Sequence, residues 1–546
     1  MSRKNQRKTP ETSANAGKVY VEDLFAKAVA LHAAGKEPEA ETYYRVLLSV
    51  PPIQAEASYN LGLILHQRRQ LAEAIAAYTH AILLRNDYVE AYSNMGTALQ
   101  ALNNYQAAVD IYHKAIVVKP EYAMAYCNLG VALKEVRQSE KAVIAYLRAA
   151  HIQPDYDWAY ANLSAVLLDL GKEEEAIVAA DKAIAIKYEL PIAHFNKGSS
   201  YKAMARLEEA EQCFRDSIRI NADFVEGHFT LAQVLLQQGK FDEGWREYEW
   251  RWRLGQYNWW TNIHGEFTRP RWNGEELNGR TVLLYAEQGL GDAMQYVRYV
   301  PFVHDRGGKV VLAVHPPLMK LMKCIDGVEL IALDQKPLPH FDFYLPLLSL
   351  PLLAETRLET IPAKVPYLRA EPDLIARWRA RIGGDGLRVG VIWAGNPNQT
   401  GDRLRSPRLA AMTPLFQVPG VRFVALQLGA GRDDLMANPL PPNVLDLGPE
   451  IADFADTAAI MSGLDLVITS CTAPLHLAGG LGVPTWAVIP FSPHFLWMPG
   501  QDGSAWYPSL RLYRQDRAGY DWSCVMSRVS NDLRAVAIAP KTLVVA

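Results

Sequence analysis

The sequence predicts an α-helical solenoid followed by an α/β body built on two mostly parallel sheets, and three observations lead there. From about Val21 to Asn258 a multi-position pattern recurs every 34 residues, the period of paired antiparallel helices stacked unit on unit. Beyond residue 280 the pattern changes to short, mostly apolar runs separated by helical stretches, which is how strands covered on both faces read. The first of these runs, Thr281 to Tyr285, passes through Glu287-Gln-Gly-Leu-Gly291 into an amphipathic segment at Asp292. Strand, tight loop and helix in that order are the unit with which α/β domains open a ligand site, at the carboxyl end of the strand.

Composition narrows the function. A chain of 546 residues holds three or four domains, each with its own core. Hydrophobic residues make up 49% and charged residues 21%, and no unbroken apolar run reaches the roughly 18 to 20 residues of a membrane span. The opening Met1-Ser-Arg-Lys-Asn-Gln-Arg-Lys8 lacks the apolar core of a secretory signal, and residues 1–18 read as a disordered basic tail. A formal charge of -3 gives no case for a nucleic-acid partner. Cys127, Cys213, Cys324, Cys471 and Cys524 are far apart and form no CxxC, so the expectation is reduced thiols in a cytoplasm, with no disulfide framework and no zinc site.

The clearest repeats are Tyr92…Met95-Gly96…Leu99…Ala108…Tyr112…Ala115…Pro120 and Tyr126…Leu129-Gly130…Leu133…Ala142…Tyr146…Ala149…Pro154. The large-small pair on each first helix lets its partner approach, and the proline closes the unit. This pattern resembles the tetratricopeptide repeat, in about seven copies over residues 19–258. The later copies drift: Ser164 replaces the glycine, Lys197 the leucine, and Gly244 the helix-packing alanine. Asn60, Asn94, Asn128, Asn162 and Asn196 occupy one column, bounded by Ala26 and Thr230. The resemblance places that column on the concave groove. A primary amide both donates and accepts, so five in a row suit an extended polypeptide backbone; the other reading is that they steady the helix pairs. The ladder resembles that of nucleocytoplasmic O-GlcNAc transferases.

The array ends in Phe241-Asp-Glu-Gly-Trp-Arg-Glu-Tyr-Glu-Trp-Arg-Trp-Arg253. So many aromatic rings in one helix predict packing beyond its own repeat, or else a dimerisation patch. Residues 259–280, with Trp259, Trp260, Pro270 and Trp272, read as an ordered bridge. Further strands are expected at Lys309–Val314, Val328–Ile331, Phe341–Leu345, Arg388–Trp393, Arg422–Gln427, Leu464–Thr469 and Thr485–Ile489, giving two lobes, 281–372 and 373–546, with a cleft between them.

Five motifs carry a second resemblance: Glu287-Gln-Gly-Leu-Gly-Asp292, Trp393-Ala-Gly-Asn-Pro397, Leu426-Gln427, Thr469-Ser-Cys-Thr-Ala-Pro-Leu-His-Leu-Ala-Gly-Gly-Leu-Gly-Val-Pro484 and Trp506-Tyr-Pro508. Together they resemble the bacterial tetratricopeptide-repeat glycosyltransferases whose catalytic half is similar to lipopolysaccharide heptosyltransferases. The resemblance implies a GT-B fold of two Rossmann-like lobes, acceptor side first and nucleotide-sugar side second. It also implies transfer of a sugar from a nucleotide-sugar to serine or threonine hydroxyls of a protein held by the repeat groove, with flagellin or another bacterial protein as acceptor.

Such a transfer needs a base for the hydroxyl proton and a stabiliser for the departing phosphate. The resemblance makes Asp292 the base, with Glu287 as the substitute carboxylate; an aspartate at a helix start equally caps free amides. Donor residues are expected at Gln288, at Cys471, Thr472, Ala473 and His476, where Pro474 marks a helix start aimed at a diphosphate, and at Asn396, Arg403, Arg405 and Gln427. His476 has a second reading as a core histidine, and the arginines as solvated loop charges. Cys471 departs from the family, which has aspartate there. With no DxD in a fitting place, an arginine would take the place of a metal, so an inverting, metal-independent enzyme is expected, with the nucleotide-sugar as substrate and no cofactor. Two other functions fit the same sequence: a repeat scaffold whose transferase half has lost catalysis, and a transferase acting on a glycan.

Overall fold

The computed structural model describes residues 10–51, 53–255, 259–399, 401–517, 519 and 521–538, without the side chains of residues 10–19 and Trp259. The chain divides into two compact units, at Ser200 and Tyr201. The first consists of paired helices. A helix runs from Pro10 to Ala33, so its start lies inside the stretch expected to be a tail; residues 1–9 of that tail, and 256–258 at the expected end of the array, lie outside the described residues.

The helix pairs Gln54–Gln67 with Leu71–Leu84, Val89–Ala101 with Tyr105–Val118, and Ala123–Glu135 with Ser139–Ile152 show how the repeat pattern becomes packing. A Cβ on Gly62 would lie 2.5 Å from the ring of Tyr78, on Gly96 2.5 Å from Tyr112, and on Gly130 2.6 Å from Tyr146. The glycine is therefore the seat of the aromatic ring from the second helix, and all three rings are buried. Where Ser164 replaces the glycine, the residue at the matching place on the second helix is Ala180, and both are fully buried. The turn between the two helices also repeats. Gly35, Arg69, Asn103, Arg137 and Gly171 stand one repeat apart and all have φ between 59° and 72°, the left-handed conformation that ends a helix.

The second unit begins with the last repeat helices and continues into two sheets. Thr281–Tyr285 (β1), Lys309–Val314 (β2), Val328–Ala332 (β3) and Phe343–Pro346 (β4) form a parallel sheet of order β3-β2-β1-β4. Leu387–Ile392 (β5), Val421–Ala425 (β6), Val444–Asp446 (β7), Leu466–Ser470 (β8), Thr485–Ile489 (β9) and Leu510–Arg514 (β10) form another, of order β10-β9-β8-β5-β6-β7, also parallel. Alternate residues of its central strands enter different cores: Val389, Val391, Leu466 and Ile468 pack with the helix Ser523–Ile538, whereas Ile392 and Val467 face a larger core shared with the first sheet. Covering both faces is what makes these strands apolar at successive positions.

The aromatic end of the array is buried. Trp245 donates its indole N–H to Thr356 O at 3.0 Å and meets Phe495 and Trp506 edge to face. Residues 270–272 run beside β4, with Trp272 N–H on Tyr344 O at 3.0 Å, while Phe267 stacks on Tyr344 at 3.7 Å. Among the described residues no helix is long and apolar enough to cross a membrane.

The glycine seats give a direct test. Gly130→Ser should destabilise the chain by about 1–3 kcal/mol through overpacking, read as a lower urea midpoint. In a Tyr146→Ala background, which reproduces the Ser164/Ala180 pairing, the same substitution should be nearly silent; equal losses in both backgrounds would refute the seat.

Candidate functional site

In parallel sheets the loops leaving the carboxyl ends collect along one edge. On the first sheet that edge carries the loop Ala286–Gly289 after β1 and the helix Leu290–Tyr296. On the second it carries the loops after β5, β8 and β9, three adjacent strands. The two edges meet. A Cβ on Gly291 would lie 2.8 Å from His476 Cδ2 and 3.3 Å from Ala473 Cα, so Leu290–Tyr296 begins against the start of the helix Ala473–Leu481. One turn on, His476 Nδ1 lies 2.9 Å from the Tyr507 hydroxyl and 3.3 Å from Gln295 Oε1, and Tyr507 donates to that same oxygen. The two helices therefore run side by side in the same direction with their amino ends together, which puts two partial positive charges at one place.

Arg298 fastens the arrangement. Its guanidinium donates to Gln295 O, Pro362 O, Trp506 O and the Tyr367 hydroxyl at 2.7–3.2 Å, and Tyr367 and Leu368 donate their backbone N–H groups to Gly480 O. Asp292 is half-buried at the meeting point. Its Oδ2 accepts the Gly289 N–H at 3.0 Å, so it does cap its helix. Burial pushes its carboxyl up to about 6, against the Gly289 hydrogen bond and the positive charge of Arg405. His476 is driven the other way, down to about 3, by burial and then by His494, Arg298 and Arg405, so its ring is neutral.

Glu287 points into a different setting. It is 1% exposed and pairs at 3.0 Å with Arg251, itself wholly buried, and it accepts the Leu348 N–H at 3.2 Å. Burial raises its carboxyl and Arg251 opposes that. Its neighbour Gln288 meets the Tyr248 hydroxyl at 3.3 Å, and its carbonyl lies 2.6 Å from His315 Nε2. Both residues thus hold the β1 loop to the last repeat helix.

On the second sheet, Thr472 begins the helix Ala473–Leu481 and is buried, with its hydroxyl 3.4 Å from Ser470 Oγ. Cys471 accepts the Trp497 indole N–H at 2.8 Å. Burial pushes its thiol up to about 11, so a neutral group stands just before this helix. Arg405 pairs with the buried Asp402 at 3.3 Å, and Asp402 in turn accepts from Ser406, fixing the loop. A Cβ on Gly395 would lie 2.7 Å from Thr472 Cγ2 and 3.2 Å from Arg405 Nη2, so the guanidinium stands near this helix start, and its charge bears on Asp292, Cys471 and His476. Arg403 is exposed, and exposed Asn396 turns its side chain back on the Asn398 N–H at 3.0 Å.

Gln427 requires correction as a donor residue. It is 2% exposed; its oxygen accepts from Trp393 and Ala394 N–H and its nitrogen donates to Ala394 and Leu428 carbonyls, so its hydrogen bonds are spent on joining the ends of β5 and β6. Gln295, Arg298, Trp497 and Tyr507 were not singled out from sequence. Only the Trp506-Tyr-Pro508 motif pointed toward them, and it named no role.

In the repeats, Asn94 donates to the Tyr59 hydroxyl at 2.9 Å, Asn162 to Cys127 Sγ at 3.6 Å, and the buried Asn196 to Ala161 O at 2.8 Å, each reaching back 35 residues. Part of the column thus ties one first helix to the preceding one. Asn60 and Asn128 are half-buried on the same helices.

Comparison with known proteins places the repeats. Residues 62–103 match a family described as TPR repeat, and residues 93–157 and 192–224 match families described as tetratricopeptide repeat. Protein FlbA of Caulobacter vibrioides is 29% identical over 347 residues, covering 58% of this chain; the chain spans 56%, about half, of that curated relative's length. Three solved structures are similar. MamA is 25% identical, covering 30% of this chain and 95% of its own, with a TM-score of 0.28. YrrB, a repeat protein with an unusual peptide-binding site, is 21% identical, with coverages of 34% and 96% and a TM-score of 0.30. A tetratricopeptide repeat protein of Parabacteroides merdae is 16% identical, with coverages of 43% and 93% and a TM-score of 0.38. The chain therefore carries tetratricopeptide repeats and has a homologue in Protein FlbA.

Proposed function

We propose that the chain is a GT-B glycosyltransferase, inverting and metal-independent, that moves a sugar from a nucleotide-sugar to a serine or threonine hydroxyl of a protein bound by its repeats. What supports this reading is the meeting of the two sheet edges: a half-buried carboxylate beside a second helix start, with one arginine acting on both. In the transfer, the acceptor oxygen bonds to the anomeric carbon, the bond from that carbon to the phosphate oxygen breaks, and Asp292 takes the hydroxyl proton. The negative charge of the leaving diphosphate falls to the Ala473 amide at the helix start and to Arg405. His476, neutral and held by Tyr507, offers a hydrogen bond without competing for the proton. Glu287, committed to Arg251, positions the β1 loop.

A scaffold without catalysis is the second reading. The cap that Asp292 provides for Gly289 and the neutral thiol at Cys471 favour it, and tetratricopeptide repeats are protein-binding modules in either case.

Calorimetry of the full chain with UDP-, ADP-, GDP- and CMP-sugars separates the two: one donor should bind, and silence from all of them would leave the scaffold. Asp292→Asn should lower transfer by about 10²–10⁴-fold while donor binding stays within a factor of a few; unchanged turnover would end its role as base. The pH profile carries the same assignment. The base works only when ionised, so kcat/KM should be level above about pH 6 and fall about tenfold per pH unit below the raised value of Asp292, a limb that would be missing if another group took the proton.

A further inference from the structure

A cavity in the first unit lies where the repeats break their own pattern. Two repeats before it, the guanidinium of Arg85 stands over the ring of Tyr88 at 3.5 Å and pairs with Glu56 at 2.8 Å. Arg85 ends the second helix of one repeat, Glu56 lies on its first helix, and Tyr88 stands at the start of the next repeat. One 34-residue period later the cation is Lys119, over Tyr122 at 5.4 Å. After a second period the matching residues are Gln153, Met124 and Tyr156, at the same places on their helices. The ring is kept, and both charges are gone.

The cavity opens at that place. It measures about 420 Å³, and Gln153, Met124 and Tyr156 line it together with Glu121, Tyr122 and Ile152. Met124 and Ile152 supply apolar wall. Tyr156 is half-buried, and no cation stands over its ring among the described residues. Glu121 is exposed and makes no ion pair among the described residues, so its charge has no fixed partner inside the chain. An arginine side chain complements each of these features: its stem is apolar, its planar cation stacks on aromatic rings, and its fork of donors fits a carboxylate. Arg85 shows the chain meeting the same demands from within.

We propose that this cavity takes an arginine side chain of a partner polypeptide, with Tyr156 under the guanidinium, Glu121 as its counter-charge, and Met124 and Ile152 along its stem. The inference rests on the repeats binding a polypeptide, which the transferase and scaffold readings share; neither donor binding nor turnover enters it.

The test measures binding of the peptide Gly-Ser-Gly-Arg-Gly-Ser-Gly to the full chain by saturation-transfer NMR, beside counterparts with citrulline or phenylalanine in place of the arginine. Citrulline keeps the shape and removes the charge, so it should bind about threefold to thirtyfold more weakly. Glu121→Gln should weaken the arginine peptide by about twofold to fivefold. Gln153→Arg restores the pattern seen at Arg85 and puts the chain's own guanidinium in the cavity, so it should abolish binding of the arginine peptide while leaving the melting temperature unchanged. No binding of the arginine peptide, equal binding of its citrulline counterpart, tighter binding of the phenylalanine one, or undiminished binding in Gln153→Arg overturns the site. The nucleotide-sugar titrations report on the transferase reading separately, so either can fail without the other.

Discussion

Arg251 is the charge around which the second unit is assembled. It has no solvent exposure, and it donates at 2.6 Å to Glu249, at 3.0 Å to Glu287 and at 2.7 Å to Ser349, whose hydroxyl returns to Glu249. Arg271 closes the other side of Glu249. The residues come from the end of the repeats, the bridge, the loop after β1 and the turn after β4. A buried charge is tolerable when it is paired, as Arg251 is through its two terminal nitrogens although its Nε has no hydrogen bond, and removing one partner leaves the rest stranded at about 3–5 kcal/mol. The geometry of the β1 loop, and with it the position of Asp292, thus follows from a network centred on a residue of the repeat terminus.

A comparable fastening joins the sheets. Arg298 spends its donors on carbonyls and a hydroxyl from three other segments and lies over the rings of Tyr367 and Tyr507 at 4.5 Å. This holds the helices Leu290–Tyr296 and Ala473–Leu481 with their amino ends together. The resulting field explains the opposite displacements of two neighbours: burial favours the neutral form of each, so the carboxyl of Asp292 rises and the imidazole of His476 falls. At neutral pH an ionised carboxylate and an uncharged ring therefore stand side by side.

The repeat pattern was readable because each position makes a local contact with a fixed sequence offset, as Gly96 does with Tyr112. The apolar strands were readable because both faces are covered. Two strands escaped notice: β7 has three residues, too few for a pattern, and β10 is an edge strand in which exposed Arg511 interrupts the apolar run. Asp292 and His476 were visible through motifs that end in helix starts. Arg298 and Gln295 were not, because their partners are up to 212 residues away and nothing local marks them, and Tyr507 was visible only within the Trp506-Tyr-Pro508 motif, without a role. Gln427 misled for the same reason: an amide at a strand end looks like a ligand contact until the neighbouring backbone that consumes it is seen.

The seating of tyrosine rings on glycines also orders the ways in which these repeats can change. At Gly62, Gly96 and Gly130 a side chain would enter space already filled by a ring, so the small residue is locked until its partner shrinks. The fifth repeat, with Ser164 and Ala180, has made both changes. Only one route there avoids a clash: the ring is lost first, leaving a void that a hydroxymethyl group then enters. Drift along the array is therefore directional, and each unit that takes this path cannot regain its tyrosine without first giving back the glycine.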